Sequence, residues 1–185
     1  SGPDGGRTAA AAPVVVQSAP TLSEAWPSET LADWVGWADA VVVAKVTAES
    51  EAGEFPAADG SGEVMIGRTV RLEITDVLWS RGSVLAAGGV VELSATGWLD
   101  RPGTARSRLA LPGVPRMEVD NSYVVALRDQ HDCAAVAAPG LRWAALGSSA
   151  IWPVDGSTIG TGESEGRWVT GDVDQASPRS LEAAM

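Results

Sequence analysis

Residues 30–46, TLADWVGWADAVVVAKV, decide the fold, because they predict a short helix that leads directly into a buried strand. Thr30 can cap the helix, and Asp33 lies three residues later, where the second member of a capping box belongs. Asp39 ends the helical pattern, and Val41–Val43 form an uninterrupted β-branched run that is typical of a buried strand. The apolar residues of the helix recur at helical spacing, at Leu31, Trp34, Val35 and Ala38.

Further strands are predicted where apolar residues alternate with polar ones between turn residues. Residues 68–80, RTVRLEITDVLWS, alternate cleanly at first, and the pattern then slips by one residue at Asp76. Such a slip predicts a β-bulge, which bends a strand in small barrels. Residues 49–67 and 96–117 are rich in turn residues and are expected to be irregular. The other predicted strands are 41–46, 90–95, 122–127, 133–138, 141–146, 151–154 and 167–170.

The predicted fold class is mainly β: a small OB-like domain, or a β-barrel or sandwich, with a short helix near each end. Ser177 or Ser180 can cap the closing helix over 181–184. Short strands separated by turns favour this class over a helical one. The length of 185 residues suits a single domain, which we expect to span residues 28–185.

An extended N-terminal arm is predicted over residues 1–27, because glycine and proline interrupt any helix there and little apolar surface is available. Within it Val14, Val15 and Val16 form a short β-prone run. Such a run could add as a strand to an exposed sheet edge, either on its own domain or on a partner. A floppy tail in which the valines have no role is an equal alternative. Together with Gln17, the valines are predicted to bind a partner.

Charge and hydropathy exclude several classes of partner. The chain has 13 basic and 24 acidic residues, a net charge of −11, and Lys45 is its only lysine. Nucleic-acid binding is not expected, because it needs clustered positive charge. No run of about 18 apolar residues is present, so no membrane span is expected. The opening, rich in Ala, Gly, Pro and Ser, is typical of a mature exported protein, and we expect the protein to be secreted.

Motifs that could carry catalysis or a metal lack the context they need. Gly162–Gly166 matches the G-x-S-x-G pattern around Ser164, but a strand is predicted to follow it and the only histidine, His131, precedes it. His131 and Cys133 are too few ligands for a zinc site within one chain. Cys133 is better explained as a small packed apolar residue. We therefore expect no enzyme activity and no cofactor.

Tryptophan is the dominant aromatic residue, with eight copies beside one Phe and one Tyr. Trp34 and Trp37 lie three residues apart on the predicted helix, so they share one side, which could be core or an exposed patch. Exposed indoles can stack on sugars or anchor protein interfaces. Most of the tryptophans are expected to fill the core, and Trp34 and Trp37 are the predicted partner-binding pair on the helix.

Three segments carry a resemblance to known families: ADAVVVAKV at 38–46, TVRLEITDVLW at 69–79 and NSYVVAL at 121–127. They resemble the OB-like or netrin-like modules of small exported bacterial proteins, in which an A-D-x-V-V-x-x-x-V strand opens the barrel. Animal inhibitors with this fold grip a protease zinc through an N-terminal cysteine. Ser1 stands at that place here, so the resemblance does not imply that mechanism.

In its layout the chain also resembles the small adaptor subunit of actinobacterial umbrella toxin particles. That resemblance implies a non-catalytic adaptor whose arm, residues 1–20, helps to join a lectin-like subunit to a large toxin-like chain. Two alternatives stay open on the residues alone. One is a glycan- or cell-wall-binding module that uses exposed tryptophans, and the other is an inhibitor of an extracellular enzyme.

Overall fold

The computed structural model describes residues 14–16, 26–82, 85–111, 114–130, 140–155, 158–159 and 178–185. These residues form one nine-stranded sheet with two short α-helices. The mainly β class is therefore confirmed, with a helix near each end. In chain order the elements are β1 (Val14–Val16), α1 (Leu31–Trp37), β2 (Ala40–Pro56), β3 (Val64–Ser80), β4 (Val90–Asp100), β5 (Ser107–Ala110), β6 (Ser122–Asp129), β7 (Trp143–Ala145), β8 (Ile151–Asp155), β9 (Thr158–Ile159) and α2 (Pro178–Ala184).

The strand order in the sheet is β1-β5-β4-β3-β2-β6-β8-β9, and β7 also pairs with β6. The β1–β5 pair is parallel, and the other pairs between described strands are antiparallel. Strands β4 and β7 contact each other although β3, β2 and β6 separate them in the sheet. The sheet therefore curls back on itself, as the sheet of a half-open barrel does.

Helix α1 begins as its sequence predicts. The Thr30 hydroxyl accepts a hydrogen bond from the Asp33 backbone N–H at 3.1 Å, and the Asp33 carboxylate accepts one from the Thr30 N–H at 2.9 Å. This reciprocal pair is a capping box and satisfies two of the N–H groups that a helix leaves unpaired at its start. Ala38 is extended, so the helix ends there and the chain enters β2 at Ala40.

Strands β2 and β6 are central, and the first part of β2, residues 40–46, is buried on both faces. Its even-numbered residues, such as Val42 and Val46, face the inside of the curl and belong to the inner core. Val41 and Val43 face the other way, into the outer core, where they pack with Trp34 of α1. Burial on both faces explains why the sequence here is a continuous apolar run rather than an alternating one. The outer core is completed by Ala38, Leu78, Val124, Ala126, Leu146, Ala150, Trp152 and Leu181.

The bulge predicted near Asp76 is confirmed. The pairing of β3 with β2 shifts register on both sides of this residue, at Leu78 and at Thr75. The Thr75 hydroxyl donates a hydrogen bond to the Val43 carbonyl on the facing strand, at 3.1 Å. Bulges increase the local twist of a strand, which helps the sheet to curl around the inner core.

The two segments that we expected to be irregular contain regular strands, so those predictions were wrong. β2 continues to Pro56 and β3 begins at Val64, which makes residues 49–67 a long exposed hairpin. β4 extends to Asp100, and β5 lies in the middle of residues 96–117. Backbone pairing with neighbouring strands overrides the weak β-propensity of these residues. Gly53, with φ of 92°, absorbs the register shift in the hairpin.

Candidate interaction sites

The first candidate site is the outer edge of β5, where the N-terminal segment adds a strand. Val14, Val15 and Val16 pair in parallel with Arg108, Leu109 and Ala110 of the same chain. The sequence left open whether this segment pairs with its own domain or with a partner, and in the structure it pairs with the edge of its own domain. Gln17, the fourth residue of the predicted partner-binding segment, lies outside the described residues.

Strand β5 is held on the sheet by a short stretch of backbone pairing and by one buried side chain, that of Arg116. Only two residue pairs connect it to β4. Beyond them, the Arg116 Nη1 donates hydrogen bonds to the carbonyls of Thr96 and Gly97 on β4, at 2.6 and 2.7 Å, and to that of Leu109 on β5, at 2.9 Å. Arg116 is buried and therefore clamps the two strands together away from water.

A bulge in β4 makes its carbonyls available to this clamp. The register of β4 against β3 shifts between Ile66 and Arg68, so Thr96 and Gly97 both face the single residue Gly67. The extra residue in a bulge leaves the ladder, and its polar groups need other partners. Charge-assisted hydrogen bonds from Arg116 replace the missing ladder bonds.

We expect Arg116→Met to loosen β5 and to lower the free energy of unfolding by about 2–3 kcal/mol, because several buried carbonyls lose a charged donor. Amide hydrogen exchange over 107–110 should accelerate more than that over 122–127. Arg106→Met is the control, because Arg106 is exposed and bonds only to exposed carboxylates on the surface. Unchanged exchange over 107–110 in Arg116→Met would show that the clamp does not hold this edge.

The second candidate site is a cleft of about 220 Å³ near the start of β2 and the end of β3. Sites for drug-sized ligands have volumes of roughly 300–1,000 Å³, so this cleft suits one side chain or one sugar ring. Its lining residues are Asp39, Ala40, Arg81, Gly82, Leu85, Asp129 and Trp143.

The charged groups of the cleft are fixed in pairs. The Asp39 carboxylate accepts a hydrogen bond from the Asp129 backbone N–H at 2.8 Å. Arg142 donates through Nη2 and Nε to the Asp129 carboxylate at 2.7 and 3.1 Å, and this hydrogen bond raises the pKa of Arg142. Arg81 donates to the carbonyls of Val35 and Gly36 at the end of α1. The carboxylates and guanidinium groups in and around the cleft are therefore held in place by hydrogen bonds, and they could bind polar groups of a ligand.

Arginine–tryptophan stacks surround the cleft and the adjoining start of β2. In each of them the guanidinium carbon lies within 6 Å of the indole centroid, a distance at which cation–π attraction acts. Tryptophan and arginine are also the residue types most enriched at the energetic centres of protein interfaces. The stacked pairs are Arg81 over Trp79 at 5.8 Å, Arg128 over Trp26 at 5.5 Å and Arg142 over Trp143 at 5.4 Å.

Trp37 is 45% exposed, and its carbonyl accepts a hydrogen bond at 2.6 Å from Arg128, the arginine that stacks over Trp26. Trp34, in contrast, is fully buried, and its Nε1 donates to the Ser28 carbonyl at 2.8 Å. Trp34 therefore lies in the core and not on the surface, and its role in partner binding stays a prediction. Three residues advance a helix by about 300°, which leaves the two indoles about 60° apart, enough to separate core from surface.

The structure does not bear on the residues that we weighed for catalysis. His131, Cys133 and Ser164 lie outside the described residues, as do the strands predicted at 133–138 and 167–170. Within the described part of the chain, no group of three or more His, Cys, Asp or Glu side chains could hold a metal ion. No described helix has the length and apolar character needed to span a membrane.

Sequence reasoning missed the arginines at both sites. Arg142 and Trp143 are adjacent in the chain, and Arg81 follows Trp79 by two residues, so the pairing of cations with indoles left a local signal. Arg116 left no such signal, because its partners are backbone carbonyls on strands that are remote in sequence.

Comparison of the chain with protein-family models, with curated proteins and with solved structures found no match. The function proposed below therefore rests on the geometry of the two sites.

Proposed function

We propose that this protein is a non-catalytic, secreted adaptor that holds two partner chains, one through the N-terminal arm and the β5 edge, the other through the cleft and Trp37. The observation that carries the proposal is the parallel pairing of Val14–Val16 with β5. It shows that the segment takes up strand geometry against a sheet edge, which is how strand addition binds one chain to another.

The attachment of β1 suits exchange with a partner. It is three residues long and pairs in parallel, and parallel pairs are slightly less stable per residue than antiparallel ones. An edge strand offers unpaired backbone groups, and β1 covers those of β5. A partner strand could replace β1 on this edge, or β1 could leave it and pair with the edge of a partner.

The two sites lie toward opposite ends of β3, which is our reason for assigning them to two different partners. The β5 edge is connected through β4 to Met65 and Ile66 at the start of β3. The cleft lies by Ala40, which pairs with Ser80 at the end of β3. At about 3.3 Å per residue, these ends of β3 are roughly 45 Å apart along the strand.

The partners that we propose are other protein subunits: a lectin-like subunit and a large toxin-like chain. The resemblance in layout to the small adaptor subunit of umbrella toxin particles supports this choice. The acidic charge of the chain, −11, argues against nucleic acid as a partner.

Deleting residues 1–20 should leave the fold intact and reduce capture of one partner at least tenfold, since the inner and outer cores of the described residues are built from Trp26 onward. Val15→Pro should have the same effect, because proline lacks the backbone N–H that a strand residue can donate to its neighbour. Ala10→Pro places the same substitution outside β1 and should bind normally. Pull-downs from the culture medium of the producing organism measure partner capture by all three variants, and circular dichroism checks that each of them is folded. Retention of every partner by the truncated protein would contradict the proposal.

A glycan- or cell-wall-binding module is the second candidate, favoured by a cleft the size of one sugar ring and by exposed Trp37, which precedes Asp39 of the cleft lining by two residues. This alternative predicts the opposite result for the deletion of residues 1–20. A glycan binder would keep its polysaccharide after deletion of residues 1–20 and lose it in Trp37→Ala. The third alternative, an inhibitor of an extracellular enzyme, has no observation of its own in the described residues.

A further inference from the structure

We propose that a small carboxylate-class anion binds between the buried guanidinium groups of Arg68 and Arg116, at one end of the inner core. Arg116 also clamps β5 in the first interaction site, through its Nη1 atom, but the anion site uses the other edge of the guanidinium group and does not depend on the proposed adaptor role.

The two arginines are buried to an extent that is unusual for this residue type. Arg68 is 0% exposed and Arg116 is 6% exposed. Along β3, Arg68 occupies the same buried face as Ile66 and Val70, so its side chain enters the inner core. Arg116 precedes Met117, which also belongs to the inner core. Arginine is almost never fully buried unless its charge is paired.

Each guanidinium group uses its Nη1 atom and leaves the opposite edge without a hydrogen bond. Arg68 donates through Nη1 to Glu49 at 2.6 Å, and its Nε and Nη2 have no hydrogen-bond partner among the described residues. Arg116 donates through Nη1 to backbone carbonyls. Its Nε lies 3.0 Å from a carboxylate oxygen of Glu118, outside hydrogen-bond alignment, and its Nη2 likewise has no partner in the described part of the chain.

Two other arginines of the protein show which group binds the Nε–Nη2 edge of a guanidinium group. Arg106 binds the Asp100 carboxylate through Nε at 2.8 Å and Nη2 at 2.9 Å. Arg142 binds the Asp129 carboxylate through the same two atoms. The Nε and Nη2 hydrogens of arginine are parallel and match a planar acceptor with two oxygens. A carboxylate is therefore the ligand class for the corresponding edges of Arg68 and Arg116.

Electrostatics favour an anion between the two groups. Arg116 donates to the carbonyls of Thr96 and Gly97, which face Gly67, the residue before Arg68, so the two arginines lie close together. Burial, followed by the positive charge of Arg68, lowers the pKa of Arg116. Buried charged donors without partners are costly, and a single anion would offset both the repulsion and the missing hydrogen bonds. Glu49 accepts one hydrogen bond, from Arg68, and Glu118 accepts one from Arg108 besides its ion pair with Arg116, so both carboxylates already have partners. Their side chains are 32% and 22% exposed, which places this end of the core next to solvent.

The direct test is NMR of the arginine Nε–Hε groups in the full-length protein, titrated with sodium formate or with sodium chloride at constant ionic strength. We expect formate to shift the Arg68 and Arg116 signals saturably and to leave that of exposed Arg71 unchanged. An equal response to chloride would indicate a site for any small anion and overturn the carboxylate assignment. No response would mean that water or an acidic side chain of this chain fills the site, and would overturn the proposal.

A stability measurement gives an independent readout with matched variants. At a formate concentration ten times its dissociation constant, the unfolding midpoint of the wild type should rise by about 3–6 °C. Arg71→Met, on the same strand, should keep this rise, and Arg68→Met should lose it. An equal rise in Arg68→Met would assign the effect to general solvation and contradict the site. The NMR titration needs no variant, so poor folding of Arg68→Met would leave the test intact.

Discussion

Gly97→Ala is expected to lower the free energy of unfolding by about 3 kcal/mol or more, the largest loss we predict for adding a single methyl group. A Cβ atom at this position would overlap the carbonyl oxygen of Ile66 and lie 3.0 Å from the backbone carbon of Gly67. Both neighbours are backbone atoms in the β3 ladder, so neither can rotate away as a flexible side chain would. The same substitution would also displace the Gly97 carbonyl from Arg116.

Urea unfolding followed by circular dichroism measures this loss, and Gly36→Ala provides the control. Gly36 lies in the last turn of α1 with no atom close to where its Cβ would be. Alanine favours the helix over glycine, so Gly36→Ala should stabilise the protein by about 0.5–1 kcal/mol. A Gly97→Ala variant as stable as the wild type would show that β4 does not approach β3 this closely.

Trp34→Ala is expected to destabilise the protein by about 3–5 kcal/mol, the range for removing a large aromatic side chain from a core. Trp34 is the residue of α1 that packs against Val41 and Val43 in the outer core. Its loss would leave a cavity and would remove the donor to the buried carbonyl of Ser28. We expect α1 to detach from the sheet before the rest of the domain unfolds.

Trp37→Ala is the matched control, because the two residues share a helix and a residue type and differ in exposure. Trp37 is 45% exposed, and we expect its replacement to cost less than about 1 kcal/mol. It should instead weaken partner binding at the cleft. Equal destabilisation by the two substitutions, in chemical denaturation followed by circular dichroism, would contradict the division of the helix into a core side and an exposed side.

The sequence by itself determined the local elements whose signals depend only on near neighbours. The capping box at Thr30 and Asp33, the valine run of β2 and the bulge near Asp76 all lie where the pattern places them. Side-chain spacing and capping act within a few residues, so a linear sequence contains the whole of their physical cause. The β-prone character of Val14–Val16 belongs to the same class.

Only the tertiary structure decided which remote segments meet. The β5 strand that receives the arm lies in a stretch whose prolines and glycines indicate a loop, and it is a strand because β4, β1 and the Arg116 clamp supply its hydrogen bonds. The same holds for the burial of Arg68. Pairing between strands and the environment of a side chain depend on residues far apart in the chain, and their energies outweigh local propensity. That is why one tryptophan of α1 lies in the core and the other is exposed.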